Sequence, residues 1–74
     1  MNFNTLLFIH KLLNDEAEKR ESFYLSCRDR VELLVDQGAG KEELKKARQI
    51  KELADRKHME ALAALNDFVD HEWR

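Results

Sequence analysis

Proline is absent from the 74 residues, and glycine occurs only as Gly38 and Gly40. Without proline nothing breaks a helix from within, and two glycines this close together leave the chain one place to turn. Val and Thr are scarce, and no alternating run bounded by turn residues occurs, so a β-sheet is not expected. A single cysteine, Cys27, cannot close an internal disulfide and gives no sign of an oxidising compartment. Neither sign of charge dominates: 15 acids against 13 Lys and Arg leave a net charge of −2, unlike a strongly basic nucleic-acid binder. Long apolar runs are missing too. The stretch from Met1 to Leu13 is apolar-rich but lacks a basic start and is interrupted by His10 and Lys11, so neither a signal peptide nor a membrane span is expected. The expected setting is the cytoplasm.

What remains is dominated by Ala, Leu, Glu, Lys and Arg, the strong helix formers. Charged residues make up 38% and hydrophobic residues 43%, the profile of long exposed helices carrying an apolar stripe. Gly38 suits the residue after a helix, where φ is positive. Gly40 suits the next N-cap, ahead of Glu42 and Glu43 in a first turn that favours acids. Asn4 is the expected cap of the first helix. The spacing predicts an all-α antiparallel two-helix hairpin in one domain spanning 1–74, with helices over about 4–37 and 41–72 and the turn at 37–40.

The stripes agree. Leu6, Ile9, Leu13, Ala17, Tyr24, Cys27, Val31 and Leu34 recur at steps of three and four, mainly, on the first helix, and Leu44, Ala47, Ile50, Ala54, Ala61, Leu65 and Phe68 on the second. Folding about the glycines pairs Leu34 with Leu44, Val31 with Ala47, Cys27 with Ile50, Tyr24 with Ala54, Leu13 with Leu65 and Ile9 with Phe68. Glu16, Arg20 and His58 interrupt both stripes at one level, so polar is expected to face polar in a layer that fixes registry.

Two helices enclose no core, and a chain this small gains only about 3–5 kcal/mol from one. Phe23, Leu25, Leu33, Val35, Leu53 and Met59 nevertheless widen the apolar faces. The excess gathers at the open end. The expected interface is therefore Leu6, Phe8, Ile9, Leu12, Leu13, Leu62, Leu65, Phe68, Val69 and Trp73, shared with a second copy in a four-helix-bundle homodimer or with a protein partner. A non-enzymatic protein-interaction module follows, of adaptor, regulator or inhibitor type, the kind of small accessory protein that a phage encodes.

Other chemistry is less well supported by the residues. Glu18-x-x-Glu21 and Glu52-x-x-Asp55 are similar to the acidic motif of the all-α nucleoside triphosphate pyrophosphatases of the MazG kind. That resemblance, confined to four positions, implies Mg²⁺ held by those carboxylates against a triphosphate. Their place beside the stripe favours a solvated charged face instead, with no cofactor. His10, His58 and His71 form no zinc ligand set. Lys41, Lys45, Lys46, Arg48, Lys51, Arg56 and Lys57 give the second helix a basic start, but acids are interleaved and no aromatic lies among them, so nucleic acid is disfavoured.

Overall fold

A computed structural model describes residues 2–72 as two helices, α1 (Phe3–Asp36) and α2 (Lys41–His71), with no strand among them. The chain is an all-α helical hairpin. Both helices run unbroken, and the molecule is a rod of 54 × 14 × 12 Å. Its radius of gyration is 16.6 Å, against about 11 Å for a compact domain of this length.

The ends of the helices follow from local hydrogen bonding. Asn2, rather than Asn4, caps α1: its Oδ1 accepts from the Thr5 N–H at 2.8 Å, so the helix begins at Phe3. At the other end, Gly38 takes φ +70, the Ala39 N–H donates to the Leu34 carbonyl at 3.0 Å, and the Gly38 N–H donates to the Val35 carbonyl at 3.1 Å. These two bonds make a Schellman motif. They also swing Ala39 onto the buried group formed by Val31, Leu34 and Ala47, which Leu44 joins from α2. The turn is thus fixed by backbone and by packing together. Gly40 opens α2 without a side-chain cap, and Glu42 and Glu43 in the first turn complement the exposed N–H groups.

The seam keeps a strict seven-residue repeat. On α1 it runs through Leu6, His10, Leu13, Ala17, Arg20, Tyr24, Cys27, Val31 and Leu34, and on α2 through Leu44, Ala47, Lys51, Ala54, His58, Ala61, Leu65 and Phe68. Steps of three and four alternate without a slip, the pattern of a left-handed coiled coil. Ala17, Cys27, Val31, Leu34, Ala47, Ala54 and Phe68 are buried. Ring contacts fix the register elsewhere. His10 lies 6.4 Å from Phe68 near the open end, and Tyr24 stacks on His58 at 6.4 Å and 19° in the middle.

Ile50 departs from the expected seam. It is 51% exposed, and half-buried Lys51 takes the position level with Cys27. The repeat from Ala47 passes through residue 51 to Ala54, so Ile50 is rotated onto the flank. The lysine can line a seam along its methylene stem while its ammonium stays in water.

Candidate interaction surface

A helix pair that buries only one stripe leaves much of its surface wet. The accessible surface is 5804 Å², whereas a compact protein of 8.8 kDa would expose about 4,800 Å². The surplus of about 1,000 Å² compares with the roughly 800 Å² that each partner contributes to a standard interface.

Large apolar side chains account for much of what is exposed. Phe3, Leu7, Phe8 and Leu12 are exposed toward the open end of α1. The rest of the expected interface is less open: Leu6, Ile9, Leu13, Leu62, Leu65 and Val69 are half-buried, Phe68 is buried, and Trp73 lies outside the described residues. Exposure also extends well beyond that end. Phe23, Leu33, Ile50 and Leu53 are each about half exposed. In an antiparallel pair the positions just before each first seam residue of the repeat lie on the same side of the molecule in both helices. Phe23 and Ile50 hold such positions, and Leu12, Leu33 and Leu53 lie just outside them, so all five share one flank.

That flank carries charges of both signs, with Glu16, Lys19, Lys57, Glu60 and Asp67 toward the open end and Arg30, Glu43 and Lys46 toward the turn. Glu16 and Arg30 each lie one heptad from Phe23, on opposite sides of it, and Lys46 and Glu60 lie likewise about Leu53. Because the helices run in opposite directions, Glu16 and Glu60 fall toward the open end and Arg30 and Lys46 toward the turn, whereas Glu43 and Lys57, one heptad either side of Ile50, run the other way. Glu16 accepts from Arg20 at 2.7 Å, and Glu60 pairs with Lys57 at 3.5 Å. Among the described residues Arg30 and Lys46 have no acidic partner.

The opposite flank differs. Glu18, Glu21 and Glu52 are exposed there and Asp55 is half-buried. The hairpin does bring these four acids to one side of the rod. Among the described residues, however, no three of His, Cys, Asp and Glu are grouped closely enough to hold a metal ion. A shallow groove lined by Lys41, Lys45, Arg48, Gln49 and Glu52 beside Leu44 opens near the turn, and mixed charge fills it.

The polar level of the seam is also resolved. Arg20 and His58 occupy one level of the repeat, but Arg20 turns outward to Glu16, each side chain 45% exposed. His58 turns to Tyr24, and its Nδ1 is buried without a partner, at a cost of about 1–3 kcal/mol. A cost of this kind is what polar seam residues exact where they fix alignment. His71 Nδ1 lies 2.9 Å from the Asp67 carbonyl on its own helix.

Phe23, Leu33, Ile50 and Leu53 were absent from the interface expected from sequence. The signal that could have found them is the seven-residue repeat of the seam, which puts all four on one flank. Among the described residues no helix is long and apolar enough to cross a membrane. No protein-family model, curated protein or solved structure matches the chain.

Proposed function

We propose that this chain is a non-enzymatic interaction module that acts by helix–helix association, completing a four-helix bundle with a second hairpin. The observation that carries this reading is the surplus of exposed surface, with large apolar side chains held in water on rigid helices. Burial of apolar surface is worth about 25 cal/mol per Å². Covering a face of this size against another helical pair supplies stabilisation that a lone two-helix seam lacks. Recognition is by apolar side chains of one helix pair entering the groove between the helices of the other. The unpaired cysteine and the balanced charge fit a cytoplasmic accessory factor.

Thermal unfolding of the purified protein over a hundredfold range of concentration tests this. Association that stabilises the native state raises the midpoint with concentration. A midpoint that stays fixed across the range rejects a self-completed bundle.

A further inference from the structure

We draw no further inference here: the strongest candidate, the exposed apolar patch of Leu7, Phe8 and Leu12 around α1 at the open end of the hairpin, carries none because nothing in the structure shows what covers it.

Discussion

On one flank of the hairpin, Leu12, Phe23, Leu33, Ile50 and Leu53 lie half open to water among charges of both signs, Glu16, Lys19, Lys57 and Glu60 toward the open end and Arg30, Glu43 and Lys46 toward the turn. On the opposite flank the middle of the rod is held by Glu18, Glu21, Glu52 and Asp55, with Leu7, Val35 and Met59 spaced along it. The two flanks border the same seam and are built on the same helices. They differ in what water would gain or lose by leaving. Covering the first removes a run of apolar side chains from solvent, whereas covering the second also desolvates four carboxylates and the neighbouring Arg28, Lys45 and Arg48. In the association proposed here the first flank is the face that meets a partner.

Paired substitutions should separate the flanks. Leu53→Lys places a charge in the middle of the apolar flank and is expected to weaken association roughly a hundredfold by sedimentation velocity, the scale of an interface hot spot. Removing the turn's special backbone comes next. Gly38→Ala forces an L side chain into positive φ and should cost about 1–2 kcal/mol in urea unfolding, although nothing lies within 4 Å of the added carbon. Asn2→Ala, which loses the cap on Thr5, should cost at most about 1 kcal/mol and act on α1 fraying at the open end. Met59→Lys, on the charged flank, should shift both stability and association by less than about 0.5 kcal/mol, as surface changes do. Equal effects of Leu53→Lys and Met59→Lys would erase the distinction between the flanks.

Much of the hairpin was legible before any coordinates. Gly38 and Gly40 marked the turn because only one position needed positive φ, and the apolar steps of three and four gave both helices. The start of the first helix missed by one residue because Asn2 and Asn4 are equally good caps, and only the geometry of the Thr5 N–H chooses between them. Ile50 was misplaced because hydrophobicity alone favours it, while the seven-residue repeat favours Lys51. The polar level at Arg20 and His58 was legible as a level, but not in its partners. Rotamers send Arg20 to Glu16 and His58 to Tyr24. The flank of Phe23 and Leu53 was hidden because it belongs to neither helix alone. It exists only once both are docked in register.

Sedimentation equilibrium of the purified full chain at micromolar concentration tests the central claim most directly. In the association proposed here a second hairpin covers the open flank, so the expected mass is twice the 8.8 kDa of one chain. A single species of 8.8 kDa that retains full helical circular dichroism and unfolds cooperatively would contradict it.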